Sequence, residues 1–312
     1  MKVSVKMITY NHAPYIAQAI EGVLAQQTTF PVQLIIGDDG STDETPNIIR
    51  EYATRYPERI TAVIRDKNVG MVANFFDLDS YIDGDYLAFC EGDDYWDDPH
   101  KLQVQVNLLE QNRDYGLIYT DVRQYVQGIG FNTYKSAKTP SGSVLVELLN
   151  GNFISTVTVL VRTSIYNEVC ESVHEAVLKN KWRMIDYPLW IEAARNHKIG
   201  YHPHPTAVYR VLGESASHSD DPQRQIGFVK SVLDVVTYYV NHFGIYDQCR
   251  KGIANKVYKM YRIALKYNLP SLNMYREEFH RLGACSKKTG LYLSLSKNTL
   301  TEKLLGAMLR CR

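Results

Sequence analysis

Five of the eight residues from Glu91 to Asp98 are carboxylates. Packed together and partly buried, such groups repel one another and raise their own pKa values unless a cation neutralises them. Hard oxygen donors suit Mg²⁺ or Mn²⁺, which takes one or two protein carboxylates and shares its other positions with water and phosphate oxygens. The alternative is a solvated turn that caps the helix expected after Asp97-Asp98-Pro99. Capping accounts for Asp97 or Asp98, but not for Asp93 and Asp94 directly after an apolar run. In the second polar segment, Asp38-Asp39-Gly40-Ser41-Thr42-Asp43, Gly40 turns the chain and Ser41, Thr42 or Asp43 caps a helix. That leaves Asp38 and Asp39 as acceptors suited to the N–H of a base or the hydroxyls of a ribose.

These residues need a frame. Up to about residue 125, strand-like and helix-like segments alternate: strands at Val3 to Thr9, Val32 to Ile36, Ile60 to Ile64, Asp85 to Cys90 and Tyr115 to Tyr125, and helices at Pro14 to Gln27, from Asp43, from about Met71 and at Pro99 to Asn112. The pattern predicts an α/β fold with a mostly parallel sheet flanked by helices. A strand Ser155 to Val161 and helices near Thr163 to Lys179 and Asp186 to His197 extend the same domain. Ligands of open α/β sheets sit at the carboxyl ends of the strands. There the sequence delivers Thr9-Tyr10-Asn11-His12, the Asp38 to Asp43 segment, Asn68-Val69-Gly70 and Glu91 to Trp96. From Asp221 onward only helical spacing persists, so residues 1–220 are expected to form the α/β domain and 221–312 a helical C-terminal appendage.

Several classes are set aside. With 312 residues, 45% of them hydrophobic, the chain can bury a large core. The longest apolar candidate, Thr156 to Val161, is strand-sized, and the first residues lead straight into a strand, so no spanning helix or secretion signal is expected. Cysteines 90, 170, 249, 285 and 311 form no close pair, which fits a reducing, cytoplasmic setting. No G-x-G-x-x-G, G-x-x-x-x-G-K-[ST] or G-x-S-x-G occurs, which argues against a dehydrogenase, a P-loop enzyme and a serine hydrolase. His202-Pro203-His204 reads as an edge-strand or loop element rather than a zinc site, because no third ligand lies nearby. Trp182 and Trp190 read as packing residues, whereas Trp96, beside the acidic run, is the aromatic expected to stack on a sugar.

In this order and spacing, Val-Ser-Val-Lys-Met-Ile-Thr-Tyr-Asn-His at the start, Gly-Asp-Asp-Gly-Ser-Thr-Asp-Glu-Thr from Gly37, Asn-Val-Gly at 68–70 and Glu-Gly-Asp-Asp-Tyr-Trp at 91–96 resemble the family 2 glycosyltransferases over roughly residues 1–215. The resemblance implies a GT-A fold, a nucleotide-diphosphate sugar donor, a divalent cation (Mn²⁺ or Mg²⁺) and inversion at the anomeric carbon. It implies that Tyr10, Asn11 and Asn68 help to hold the donor, that Asp39 reads a uracil N–H edge and that Asp93 meets the ribose. Asp94 then matches the metal ligand, with Glu91 as its partner, and Asp186 the general base. Arg210, followed by Ser215, Ser217 and His218, is similar to a loop that meets the departing diphosphate. Two positions depart from the family pattern: Ile185 stands where a Glu usually precedes the base, and Val72-Ala73-Asn74 lacks an arginine. The acceptor implied is a glycan or lipid-linked hydroxyl, as in surface polysaccharide synthesis. A sugar nucleotidyltransferase would share the sheet and metal but needs a basic phosphate loop, and residues 9–27 contain no lysine or arginine. A nucleotide-binding scaffold without turnover is the third reading.

Charge divides the chain. Residues 250–312 carry 14 lysines and arginines against three acids, while the rest carries 21 against 31. A helix Lys251 to Lys266, with Lys256, Lys259, Arg262 and Lys266 beside Ile253, Val257, Tyr258 and Leu265, is expected either to lie on anionic lipid at the inner membrane face or to form the basic face of a packed helical subdomain. No nucleic-acid motif accompanies the charge.

Overall fold

The computed structural model describes residues 2–132, 139–213, 219–283 and 286–310. The chain forms two compact units: residues 1–145, 153–180 and 185–211, and residues 146–152, 181–184 and 212–312.

Among the described residues, the first unit is built on a nine-stranded sheet. Strand β1 (Val3–Thr9) pairs in parallel with β2 (Val32–Asp38), which pairs in parallel with β3 (Ile60–Ile64). On its other side β1 pairs in parallel with β4 (Tyr86–Phe89). Helices α1 (Ile16–Leu24), α2 (Thr45–Arg55), α3 (Met71–Asp77) and α4 (Lys101–Gln111) connect and cover these strands, with the two-residue β5 (Tyr95–Trp96) between β4 and α4. Val3, Val5 and Met7 alternate onto one face of β1 and pack in the core with Ile16, Ile20 and Val23 of α1 and Leu102 and Val106 of α4. The opposite face is buried too, so Lys6 must find partners there. Its Nζ donates to the Phe75 carbonyl (3.2 Å), to Tyr166 Oη (2.9 Å) and to the Asp79 carboxylate. Burial pulls its pKa down to about 8, against the pull of Asp79.

Beyond β4 the sheet is mixed. β8 (Leu160–Arg162) runs antiparallel to both β4 and β6 (Tyr115–Val126), which hairpins onto β7 (Gly130–Asn132). β9 (Lys198–Val211) runs parallel to β6 and antiparallel to β5. The mostly parallel sheet expected from sequence therefore holds for the order β3-β2-β1-β4 and for the β6-β9 pair. The strand expected at Ser155 to Val161 is half 3₁₀ turn, Thr156–Thr158, and half β8. Its threonines explain this: Thr158 returns both its N–H (3.0 Å) and its hydroxyl (2.7 Å) to the Ser155 carbonyl, a local alternative to ladder bonds. In β9, His202 pairs with Thr120 and Pro205 with Asp121, so Pro203 and His204 fall in a bulge that tolerates the proline. Helices α6 (Thr163–Asn180) and α7 (Asp186–Asn196) complete this unit.

The second unit is helical, with α5 (Leu145–Asn150), α8 (Pro222–Phe243), α9 (Tyr246–Tyr267), α10 (Leu272–Leu282), α11 (Lys287–Leu295) and α12 (Thr299–Arg310). Helix α9 runs through its middle, in contact with α8, α10 and α12. Ile253, Val257, Tyr258 and Leu265 are all buried, and so is Lys256. This corrects one expectation: α9 presents no apolar face to a lipid surface, because its apolar residues are the core of the unit.

Candidate active site

The register of the parallel strands sets the site. Thr9 lies level with Asp38, so the residues after β1 and after β2 emerge side by side. Asn11 takes the left-handed conformation (φ 55°), which asparagine tolerates better than most residues. Its backbone N–H donates to Ser41 Oγ and its Oδ1 accepts from the Thr42 N–H, each at 2.8 Å. Asp38 is wholly buried and accepts from the N–H (3.1 Å) and hydroxyl of Ser41, so it holds the turn and faces no ligand. The Asp39 carboxylate receives the Val69 N–H on Oδ1 (2.7 Å) and the Gly70 N–H on Oδ2 (3.1 Å), which ties the 68–70 turn to the end of β2. Gly40 permits this approach. Its φ is +70°, and a Cβ there would lie 2.4 Å from the Lys67 carbonyl carbon. Tyr10, 44% exposed, and Asn68 remain on the surface of this group. Tyr10, Asn11, Asp39 and Asn68 are thus gathered at three adjacent strand ends.

The acidic turn follows β4. The Gly92 N–H bonds the Ile8 carbonyl and the Asp94 N–H bonds the Glu91 carbonyl, both at 3.0 Å, so the turn is fastened to β1. Gly92 packs on Thr9, whose Oγ1 a Cβ would approach to 2.5 Å. His12 Nε2 lies 4.0 Å from Asp93 Oδ2. Thr9 Oγ1 and His12 Nδ1 are buried here without a hydrogen-bond partner among the described residues.

From β9, the Arg210 N–H donates to Asp94 Oδ1 (2.8 Å) and its guanidinium to the Asp93 carbonyl (2.6 Å) and to Gln18. The same guanidinium lies over Tyr95 (4.5 Å) and Tyr15 (5.1 Å). Arg210, expected to meet a diphosphate, is therefore a buried clamp on the acidic turn. Ser215, Ser217 and His218 lie outside the described residues.

Asp186 opens α7, one position inside its N-cap Ile185, so it is not the cap itself. Its Oδ2 accepts the Thr156 hydroxyl at 2.8 Å. Ile185 is buried, so a carboxylate at this position would have to be desolvated. The turn that carries Thr156 is gripped from the segment behind the acidic motif. Trp96 Nε1 donates to the Val157 carbonyl (2.9 Å), and Gln105 Nε2 donates to the carbonyls of Thr158 (2.8 Å) and Ile118 (3.0 Å). Lys101 Nζ donates to Gln105 Oε1 (2.6 Å) and to the Thr158 carbonyl (3.3 Å). Trp96 is therefore a core residue, 3% exposed, and not a sugar-stacking platform. Alternation along β5 explains the correction, since Tyr95 faces Arg210 and its neighbour must face the interior. Thr156, Gln105 and Lys101 escape a sequence reading because each meets the site through a distant group: the Thr158 carbonyl more than 50 residues away for Gln105 and Lys101, and the Asp186 side chain 30 residues away for Thr156.

Burial and like charge act together in this turn. Burial pushes the Glu91 pKa up to about 8, with added repulsion from Asp93 and Asp186. Burial also holds Asp94 well above the usual carboxylate range, with Asp93 and Glu91 adding and Arg210 opposing. Asp186 is raised by burial, against its bond from Thr156. Glu91, Asp93 and Asp94 act on one another within the turn, and Asp186, from a distant segment, adds to the repulsion on Glu91. Among the described residues no group of three or more Asp, Glu, His or Cys side chains is arranged as a metal cage. One or two carboxylates that leave room for phosphate oxygens and water are the donor set Mg²⁺ or Mn²⁺ uses when it bridges to a ligand.

Comparison with known proteins agrees with this frame. The profile described as Glycosyl transferase family 2 matches residues 4–170. An uncharacterized protein of Mycobacterium tuberculosis is 38% identical over 218 residues, covering 69% of this chain and 60% of the relative, so the match spans only about 60% of that relative's length. EpsE of Bacillus subtilis, which carries a glycosyltransferase name, is 27% identical over 93% of this chain and 97% of its own. Among solved structures, Staphylococcus aureus TarS in complex with UDP superimposes with a TM-score of 0.59 over 99% of this chain and 88% of that one, at 16% identity. The mannosyltransferase PcManGT of Pyrobaculum calidifontis, in complex with GDP-Man and Mn²⁺, gives 0.58 over 98% and 84%, at 15% identity.

Proposed function

Because the chain belongs to glycosyl transferase family 2, we propose that it moves a sugar from a nucleoside-diphosphate donor, UDP-linked, to a hydroxyl of a glycan or lipid-linked acceptor, with inversion at the anomeric carbon. The observation that carries this reading is the acidic Glu91–Asp94 turn fastened at the end of β1, next to the polar ends of β1 and β2, together with a buried carboxylate, Asp186, held by Thr156 at the start of α7. Such a transfer calls for two carboxylate functions, one to hold a cation at the donor's diphosphate and one to take the acceptor's proton, and the acidic turn and Asp186 support these assignments.

In this reading the exposed Tyr10 ring and the Asn11 and Asn68 amides receive the base, with Asp39 holding the backbone that frames it. Asp93, beside His12, meets the ribose. Asp94, with Glu91, would hold Mn²⁺ or Mg²⁺. The raised pKa of both fits, since a cation removes the repulsion that protonation otherwise relieves. Such an ion supplies charge stabilisation for the departing nucleoside diphosphate. Asp186 takes the proton of the attacking hydroxyl, and the Thr156 hydroxyl keeps that carboxylate ionised and oriented. Arg210 fixes the turn to β9 so that Asp93 and Asp94 do not move as charge builds.

TarS bound to UDP and PcManGT bound to GDP-Man and Mn²⁺ support a nucleotide donor and a cation. Asp186→Asn tests the proposal. It is expected to bind UDP as wild type does and to lose transfer by about 10²–10⁴-fold in a screen of UDP-sugars against glycan acceptors. Transfer at the wild-type rate would remove Asp186 from the mechanism.

A further inference from the structure

Helix α12 is fixed in rotation by its inner face. Gly306 lies against the Leu265 carbonyl, where a Cβ would come to 3.2 Å, and Glu302 accepts from Tyr261 Oη and Arg276, both at 2.9 Å. Leu305 and Leu309 are buried on the same side. The outer face is consequently defined. It carries Leu300, Leu304 and Met308, one turn apart, exposed by 68%, 59% and 62%, and Leu291 of α11 is 59% exposed as well.

A run of large apolar side chains open to water calls for a partner. The charges around it state the kind. Between residues 286 and 310 stand Lys287, Lys288, Lys297, Lys303 and Arg310, all exposed, and one acid, Glu302, which is buried and paired. The exposed surface of α11 and α12 thus combines apolar residues with an exclusively positive set, which is the composition that lies in a headgroup layer above anionic lipid. Apposing two copies of this face would set lysines against lysines. A nucleic acid would leave Leu300, Leu304 and Met308 without partners. No described helix is long and apolar enough to cross a membrane, so the contact is with the surface.

We infer that the outer face of α12, with α11, docks this protein onto an anionic lipid bilayer. The inference is independent of the donor reading, because it concerns residues outside the candidate site and is tested without nucleotide. The full chain is sedimented with vesicles of phosphatidylcholine alone or mixed with phosphatidylglycerol, at low and high salt. Wild type is expected in the pellet only with anionic vesicles at low salt. The Leu300→Ser/Leu304→Ser/Met308→Ser variant is expected to remain in the supernatant. Lys297→Glu and Lys303→Glu should each lower partitioning by at least about fivefold. All five residues are exposed in α12 or just before it, so unchanged thermal unfolding verifies that the variants fold. Equal recovery of wild type and the triple-serine variant, or equal binding to neutral and anionic vesicles, would overturn the inference. So would failure to bind vesicles together with self-association that the triple variant abolishes, which would assign the face to a second copy.

Discussion

Glu91 and Thr156 carry opposite electrical instructions. Glu91 keeps its proton to about pH 8 when folded, against 4.5 for the ordinary side chain, so the folded state binds more protons than the unfolded one between those values. Stability of the metal-free protein is then expected to fall as pH rises from about 4.5 to 8, and Glu91→Gln is expected to flatten that slope in thermal melts. Added Mn²⁺ should raise the melting temperature by more at pH 8 than at pH 5; an equal rise at both would contradict the cluster's role. Thr156 acts the other way, since its hydroxyl favours the ionised form of Asp186. Thr156→Val should move the acid limb of the pH–rate profile to higher pH and lower kcat about tenfold at neutral pH, with the KM for donor unchanged. A kcat loss with an unmoved limb would mean that Thr156 only shapes the turn. At this scale the sequence marks the charged residues well, because their type and spacing are unusual. It gives no sign of which are already spent. Asp38 on Ser41 and Arg210 on the Asp93 carbonyl look as available in a string of letters as Asp94 does.

Among the elements, the 3₁₀ turn Thr156–Thr158 shows how a small piece of backbone joins two halves of a site. It receives Trp96, Lys101 and Gln105 on its carbonyls and presents Thr156 to Asp186. Gln105→Leu strips the Thr158 carbonyl of one donor and the Ile118 carbonyl of the side-chain donor it has here. It is expected to cost about 2–3 kcal/mol in denaturant unfolding and to reduce turnover more than UDP binding. A variant as stable as wild type would show that the grip is redundant. The parallel strands and their helices were readable from periodicity, since burial on both faces writes continuous apolar runs. The turn was not, because its threonines suit a strand locally and only the hydrogen bonds of Thr158 to the Ser155 carbonyl decide otherwise. In β9, His202-Pro203-His204 reads as an edge-strand or loop element; the bulge opposite Thr120 and Asp121 lets the strand run through the proline.

Over the whole molecule, the division of charge was visible in composition, but its use was not. The basic helix with the most regular apolar spacing, α9, is the buried centre of the helical unit, and the exposed apolar face belongs to α12. Amphipathic periodicity says that a helix has an apolar side; it does not say what covers it. Likewise the linear order does not show that residues 146–152 and 181–184 join the helical unit, since only long-range packing assigns them. The GT-A frame was legible because four polar segments at strand ends are a non-local pattern that survives in sequence order. In the proposed mechanism Asp94 makes the acidic turn a cation-assisted site for a nucleoside diphosphate. The most direct test is calorimetric titration of UDP into wild type and Asp94→Asn, each with and without Mn²⁺. Wild type is expected to bind UDP at least about tenfold more tightly with Mn²⁺, and the variant to show no Mn²⁺ effect. Binding that is indifferent to Mn²⁺ in wild type, or equally metal-dependent in Asp94→Asn, would contradict that mechanism.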